Sequence, residues 1–157
     1  MEIKKILMWG NSGSGKKTAL KHLCHSLVEN DSVIYGKITI YNEKLEIFSP
    51  TGAEQLKSCE NLLSPNIDGA IILIDNTQGI TTTCEEMMKI VEGKKIPFVI
   101  FANKQDLNNA PLNCHHSKVP ILPTEANSGK GIMHGLNTLL EIMSPGYEKR
   151  KIEVINC

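Results

Sequence analysis

The length, composition and charge of the chain exclude several classes of protein. It has 157 residues, 41% of them hydrophobic, which is enough for one compact domain with a sizeable core. Lysine plus arginine and aspartate plus glutamate both total 17, so the zero net charge implies neither nucleic-acid binding nor electrostatic membrane attachment. We predict a single domain over residues 1–157, with its core to about residue 145 and a C-terminal tail over 146–157.

The number and spacing of the cysteines and the length of the apolar runs indicate the cellular compartment of the protein. The 5 cysteines are odd in number and widely spaced, which is not typical of a disulfide framework or a zinc site. No apolar run approaches the ~20 residues that span a bilayer, and neither a signal peptide nor a terminal prenylation box is recognisable. We therefore expect a cytoplasmic protein with reduced thiols and no membrane anchor.

Apolar strand patterns alternate along the chain with helical patterns. The predicted strands cover residues 3–9, 33–40, 44–48, 69–75, 97–102 and 119–123. The predicted helices cover residues 16–28, 53–63, 82–92 and 131–143. Several strands are apolar without alternation, as expected when helices cover both faces of a mainly parallel sheet. The pattern predicts a three-layer α/β fold with a six-stranded, mainly parallel sheet and one antiparallel edge hairpin.

A glycine-rich segment joins the first predicted strand to the first predicted helix. Residues 10–18 read Gly-Asn-Ser-Gly-Ser-Gly-Lys-Lys-Thr, which fits the phosphate-binding P-loop GxxxxGK[ST] except that Lys17 replaces serine or threonine. In such a loop, backbone N–H groups surround a phosphate and the lysine, here Lys16, reaches the β- and γ-phosphates. The predicted phosphate-binding residues are Asn11, Ser12, Gly13, Ser14, Gly15, Lys16, Lys17 and Thr18.

A second motif, Asn103-Lys104-Gln105-Asp106, follows the fifth predicted strand and matches NKxD, the guanine-reading motif of GTP-binding proteins. Ligands bind beyond the carboxyl ends of strands in such a sheet. The Asp106 carboxylate can accept two hydrogen bonds from the guanine N1–H and exocyclic amine, a pattern that adenine cannot offer. The Lys104 stem can lie against the purine face, and the Asn103 amide can support the phosphate loop from the side.

A third segment, Thr124-Glu125-Ala126-Asn127, follows the last predicted strand, where GTP-binding proteins carry Ser-Ala-Lys or a relative. The function there requires little more than one backbone N–H, that of Ala126, directed at guanine O6. Glu125, Ala126 and Asn127 therefore complete the predicted guanine-binding residues. Alternatively, the segment is only a loop and the N-cap of the last helix.

With these three motifs, the chain resembles the Ras-like small GTPases over nearly its whole length. The closer resemblance is to the prokaryotic branch that includes the gliding-motility polarity GTPases. Their third strand ends in a sequence like Leu-Phe-Gly-Thr-Pro-Gly-Gln, and residues 47–53 here read Ile-Phe-Ser-Pro-Thr-Gly-Ala. The resemblance implies a Ras-type fold, GTP and GDP as ligands, Mg²⁺ as cofactor, and a protein partner such as a roadblock-type regulator.

Four departures from that family concern Mg²⁺ and hydrolysis. Lys17 replaces the hydroxyl that ligates Mg²⁺, and a protonated lysine cannot take that role. Ser49 replaces the aspartate that holds Mg²⁺ through water, and Ala53 replaces the glutamine that orients the attacking water. The effector loop is reduced to about residues 29–32 and contains no threonine that could ligate Mg²⁺. We therefore assign no catalytic residue and no metal ligand.

Retained binding motifs combined with lost catalytic groups favour one function and leave two others open. Phosphoryl transfer needs a positioned water and neutralised charge on the phosphate oxygens. We therefore expect a regulatory switch or scaffold that binds guanine nucleotides with weak or absent hydrolysis. Alternatively, a partner completes an active GTPase in trans, or the domain is a nucleotide-free interaction module. Lys17 either lies near the expected Mg²⁺ position and offsets phosphate charge, or points to solvent.

Overall fold

The computed structural model describes residues 3–30, 32–50, 66–112, 114 and 118–144. The predicted helix over 53–63, Ala53 within it, and the predicted tail over 146–157 lie outside the described residues.

Strands and helices alternate through the described residues. The strands are β1 Ile3–Gly10, β2 Ser26–Glu29, β3 Val33–Ile40, β4 Glu43–Pro50, β5 Gly69–Asp75, β6 Phe98–Asn103 and β7 Ile121–Pro123. The helices are α1 Lys16–Leu23, α2 Thr82–Gly93 and α3 Ile132–Met143. A membrane-spanning helix is not found in this part of the chain.

All these strands belong to one 7-stranded sheet in the order β2-β3-β4-β1-β5-β6-β7. The five strands from β4 to β7 in this order are parallel, whereas β2 pairs antiparallel with β3, and β3 with β4. The carboxyl ends of the parallel strands therefore share one edge of the sheet, where ligands bind in folds of this kind. The predicted fold class, including the antiparallel hairpin, is confirmed.

The sheet has one strand more than predicted, because the predicted helix over 16–28 ends at Leu23. Residues Ser26–Glu29 instead pair with β3. Leu27 fits either arrangement, since from β2 it still packs against the core that α1 covers. Gly36 on β3 makes this possible, because a side-chain carbon there would lie only 2.8 Å from Leu27 Cδ2 and would also crowd Cys24. Burial of the Cys24 thiol in this contact raises its pKa to about 11.

The extra strand shortens the connection between α1 and β3. Glu29, expected in a loop, is the last residue of β2, and only residues 30–32 separate β2 from β3. The Asn30 side-chain oxygen accepts the backbone N–H groups of Ser32 and Val33, each at 2.9 Å. The bonds between Asn30, Ser32 and Val33 therefore hold β2 and β3 close together at the effector-loop position.

Two hydrophobic clusters lie on opposite faces of the sheet. One contains Ile6 and Met8 of β1 with residues of α1 and α3, and the other contains Leu7 and Trp9 with residues of α2. The alternation of β1 between the two clusters is why its apolar run is nearly continuous. This packing holds the strand ends, and the loops that follow them, in a fixed relation.

Candidate functional site

The loop over residues 10–15 joins β1 to α1 at the carboxyl-end edge of the sheet. Gly13 and Gly15 have φ angles of 79° and 104°, in the left-handed region that favours glycine. A side-chain carbon at Gly15 would also collide with the Asn103 amide, and one at Gly10 would collide with the Leu73 carbonyl oxygen. The glycines of the motif are therefore required by the shape and packing of the loop itself.

Two side chains hold this loop from within. The Lys16 ammonium, on a residue only 9% exposed, donates to the carbonyl oxygens of Gly10 at 2.6 Å and Asn11 at 3.0 Å. The Asn11 amide donates to the Thr81 hydroxyl at 2.9 Å, and Thr81 in turn caps α2 by accepting the Cys84 N–H. The loop is thus tied to α2 as well as to α1.

Asn103, the last residue of β6, connects the three predicted motifs. Its amide nitrogen donates to the Ser14 carbonyl oxygen of the P-loop at 2.8 Å. Its amide oxygen accepts the Thr124 hydroxyl at 3.0 Å and the Ala126 N–H at 2.9 Å. Asn103 is 2% exposed, so these bonds are shielded from water. One buried side chain therefore fixes the P-loop, β6 and the 124–126 loop relative to one another.

The backbone N–H of Ala126 has a partner within the described structure. Its backbone N–H, which the sequence assigns to guanine O6, donates to Asn103 instead. The backbone N–H of Glu125 bonds the Lys130 carbonyl oxygen at 2.9 Å, closing this loop on itself. Asn127 is exposed beside it. This loop is therefore held rigid next to Asn103, while its predicted donor has a partner within the protein.

The other two functional residues of the 103–106 motif have contrasting environments. The Lys104 ammonium forms an ion pair with Asp75 Oδ2 at 2.9 Å, although the sequence assigns no role to Asp75. Asp106 is exposed, and its carboxylate makes no hydrogen bond or ion pair within the part of the chain described. Asp106 is thus available to an external donor at this edge.

Asp75 ends β5 and was missed by sequence reasoning. Its other oxygen, Oδ1, accepts the Thr77 N–H at 2.9 Å and the Thr77 hydroxyl at 2.6 Å. Burial alone would raise the pKa of Asp75, but the hydrogen bonds from Thr77 and Lys104 outweigh it and hold that pKa below its ordinary value. Asp75 is therefore an ionised partner of Lys104 at neutral pH. A polar residue ending a wholly apolar strand is the signal that could have identified it.

Lys17 is exposed at the start of α1, and its charge is paired with a carboxylate. Its ammonium forms an ion pair with Glu29 Oε2 at 2.9 Å, and the two side chains are 49% and 52% exposed. Lys17 lies in the first turn of α1, and Glu29 reaches it because β2 ends at this edge of the sheet. The Lys17 charge beside the P-loop is therefore paired with the Glu29 carboxylate at the end of β2, next to the effector-loop position.

The residues around the P-loop do not fit a Mg²⁺ site of the usual kind. Mg²⁺ prefers oxygen ligands, often one or two carboxylates together with phosphate oxygens and water. Lys17 stands in place of the ligating hydroxyl, and Ser49 is fully buried with its hydroxyl oxygen unpaired in the described structure. Within the same residues, no group of three His, Cys, Asp or Glu side chains could hold a metal ion. No step of the chemistry is therefore assigned to a metal.

The fold and the three assembled motifs define the class of P-loop domains with the Ras-like architecture. Solved structures of this architecture include the Arl6 BBS3 small GTPase from Trypanosoma brucei with bound nucleotide analogue GppNp, with a TM-score of 0.70, 17% identity, and 90% of this chain and 98% of that chain covered. The FeoB G-domain from Methanococcus jannaschii has a TM-score of 0.69 and 18% identity, with 91% of this chain and 98% of that chain covered. At these identities the similarity shows the fold.

The family is shown by sequence. Residues 1–143 match the ADP-ribosylation factor family, and the chain belongs to it. An uncharacterised protein of Methanocaldococcus jannaschii is 30% identical over 111 residues, which cover 67% of this chain and 72% of that protein. The chain is thus a small GTPase-like nucleotide-binding domain, and the narrower resemblance to gliding-motility GTPases stays a prediction.

Proposed function

We propose that this domain binds GDP and GTP at the carboxyl-end edge of its sheet and hydrolyses GTP weakly or not at all. The observation that carries the proposal is the set of hydrogen bonds made by Asn103, which joins the P-loop to the 124–126 loop. These bonds hold the loop that would contact the phosphates and the loop that would border the base in one arrangement, and such pre-organisation lowers the cost of binding a nucleotide.

Each end of the proposed nucleotide has a binding element. The phosphates lie in the P-loop, residues 11–18, whose backbone N–H groups and Lys16 provide positive potential. The base is read by Asp106, whose exposed carboxylate offers two acceptors to guanine. Lys104 covers the purine face, and Glu125 and Asn127 border the base from the next loop. Ala126 contributes through its bond to Asn103 and not through a direct bond to guanine.

Weak hydrolysis follows from the groups that are replaced. A buried serine, Ser49, stands where a carboxylate would hold Mg²⁺ through water, and Ala53 cannot orient a water molecule. Without metal charge and a positioned water, phosphoryl transfer loses its main electrostatic and orientational contributions. We propose that the domain correspondingly binds guanine nucleotides without Mg²⁺.

The short connection that Asn30 closes between β2 and β3 supports a scaffold role over a nucleotide-driven switch. A switch requires a segment that orders around the γ-phosphate and is released on hydrolysis. Here the segment is held by β2 and β3 pairing and by the Asn30 bonds. We propose a cytoplasmic regulatory protein that presents similar surfaces with GDP and GTP to a protein partner, with a roadblock-type regulator as one candidate.

In this proposal, the Lys17 ammonium supplies part of the positive charge that Mg²⁺ would otherwise bring to the phosphates. An exposed ion pair such as that with Glu29 contributes only about 0–1 kcal/mol, so a phosphate can displace Glu29 at small cost. We expect Lys17→Ser to weaken binding of a non-hydrolysable GTP analogue in EDTA about tenfold, which corresponds to ~1.4 kcal/mol. The loss for GDP is expected to be smaller, because the γ-phosphate is absent. Fluorescence titration with both nucleotides measures this difference.

A matched control is Lys21→Ser, which removes an exposed lysine one turn further along α1. Lys21→Ser is expected to leave both affinities unchanged. Equal affinities for Lys17→Ser, Lys21→Ser and the parent would contradict the charge-replacement role of Lys17. Failure of the parent itself to bind either nucleotide would contradict the proposed function and favour a nucleotide-free interaction module.

A further inference from the structure

The ion pair between Asp75 and Lys104 is the part of this edge that the nucleotide-binding motifs leave unexplained. We propose that Asp75 is a positioning residue for base recognition, which holds the Lys104 stem and the turn carrying Asp106 in the geometry that guanine requires. This inference rests on the proposed function and names a residue outside its three motifs.

The position of Asp75 is fixed from two sides. It pairs with Asn103 in the register of β5 and β6, and the N–H of Asn76 donates to the Asn103 carbonyl oxygen at 2.9 Å. Asp75 is 8% exposed, and Thr77 occupies its Oδ1 with two hydrogen bonds. Among the described residues, Oδ2 is directed to the Lys104 ammonium.

The backbone of Lys104 shows why this partner matters. Lys104 has a φ of 67°, a conformation that non-glycine residues seldom adopt and that turns the chain sharply after β6. Its carbonyl oxygen accepts the N–H groups of Leu107 at 2.9 Å and Asn108 at 3.0 Å. The turn that carries Asp106 is thus closed on the backbone of Lys104, and the Asp75 ion pair anchors the same residue through its side chain.

Partial burial makes this anchor stronger than a surface ion pair. The Lys104 side chain is 31% exposed and that of Asp75 only 8%, so water screens the pair incompletely. The pair holds the lysine charge at the end of β5, which leaves the aliphatic stem to form one side of the base site. If Asp75 acts through Lys104, its removal should affect the base and not the phosphates.

The test compares GDP with pyrophosphate, which occupies the P-loop without a base. The variants are Asp75→Asn, which keeps the shape and one acceptor oxygen, Lys104→Met, which keeps the stem, and the double variant. Asp75→Asn is expected to weaken GDP binding about five- to tenfold and to leave pyrophosphate binding unchanged, a coupling typical of contacting residues. In the Lys104→Met background, Asp75→Asn is expected to have no further effect. Calorimetric titration gives all the affinities.

A matched control is Asp68→Asn, which makes the same charge change just before the opposite end of β5, where Asp68 accepts the Lys5 N–H at 2.8 Å. It is expected to leave GDP binding unchanged. Equal GDP affinities for the parent and Asp75→Asn would overturn the inference alone, as would equal losses for GDP and pyrophosphate. If Asp75→Asn does not fold, Lys104→Met decides: unchanged GDP binding by that variant overturns the inference. Absence of GDP binding by the parent overturns the proposed function, and the inference with it.

Discussion

Replacement of Asn103 by alanine is expected to lower the free energy of unfolding by about 3 kcal/mol, since each buried group left unsatisfied costs about 1–3 kcal/mol. The substitution strands the Ser14 carbonyl oxygen, the Thr124 hydroxyl and the Ala126 N–H. Water entering the new space would recover part of this cost. Urea unfolding of nucleotide-stripped protein, followed by circular dichroism, measures the change.

The control for this prediction is Asn109→Ala, which changes an exposed asparagine in the loop that follows the same strand. Its unfolding free energy is expected to stay within about 0.5 kcal/mol of the parent, as for most surface substitutions. A loss below about 1 kcal/mol for Asn103→Ala would contradict the connecting role of Asn103.

Replacement of Asp106 by alanine is expected to weaken GDP binding about 100- to 10,000-fold, because it removes two charge-assisted hydrogen bonds worth about 1.5–3 kcal/mol each. Asp106 is exposed, so the unfolding free energy is expected to stay near that of the parent. Pyrophosphate affinity is expected to be unchanged, because the carboxylate reads the base alone. Calorimetric titration with GDP, ADP and pyrophosphate measures these effects.

The parent is expected to discriminate strongly between GDP and ADP, and Asp106→Ala to lose most of that discrimination. The control is Asp68→Ala, which also removes an exposed carboxylate. This variant is expected to keep the discrimination between GDP and ADP. If Asp106→Ala binds GDP as tightly as the parent does, the base is not read by this carboxylate.

The fold was predictable because its signals are local. The unbroken apolar runs of β5 and β6 indicate strands covered on both faces, and the P-loop places a turn and a helix directly after β1. The boundary of α1 was not predictable, because Leu27 satisfies a helical spacing and also packs correctly from β2. The place of Gly36 on the neighbouring strand, which leaves room for Cys24 and Leu27, favours the strand.

Contacts between residues of the motifs were predictable from the sequence. Contacts with residues outside the motifs were not. The bond from Asn103 to the P-loop spans 89 residues, yet the two motifs indicated it. The ion pair of Lys104 with Asp75 depends on the order of the strands in the sheet. The ion pair of Lys17 with Glu29 depends on β2, a strand that the helical pattern of the sequence conceals. The partner of the Ala126 N–H likewise depends on tertiary geometry.

The central claim is that this chain binds guanine nucleotides without needing Mg²⁺. Isothermal titration of nucleotide-stripped protein with GDP and a non-hydrolysable GTP analogue, each in Mg²⁺ and in EDTA, tests it most directly, with ATP as the specificity control. The account predicts guanine-nucleotide binding that is equally tight in both buffers and no comparable binding of ATP. Binding that appears only with Mg²⁺ would contradict it.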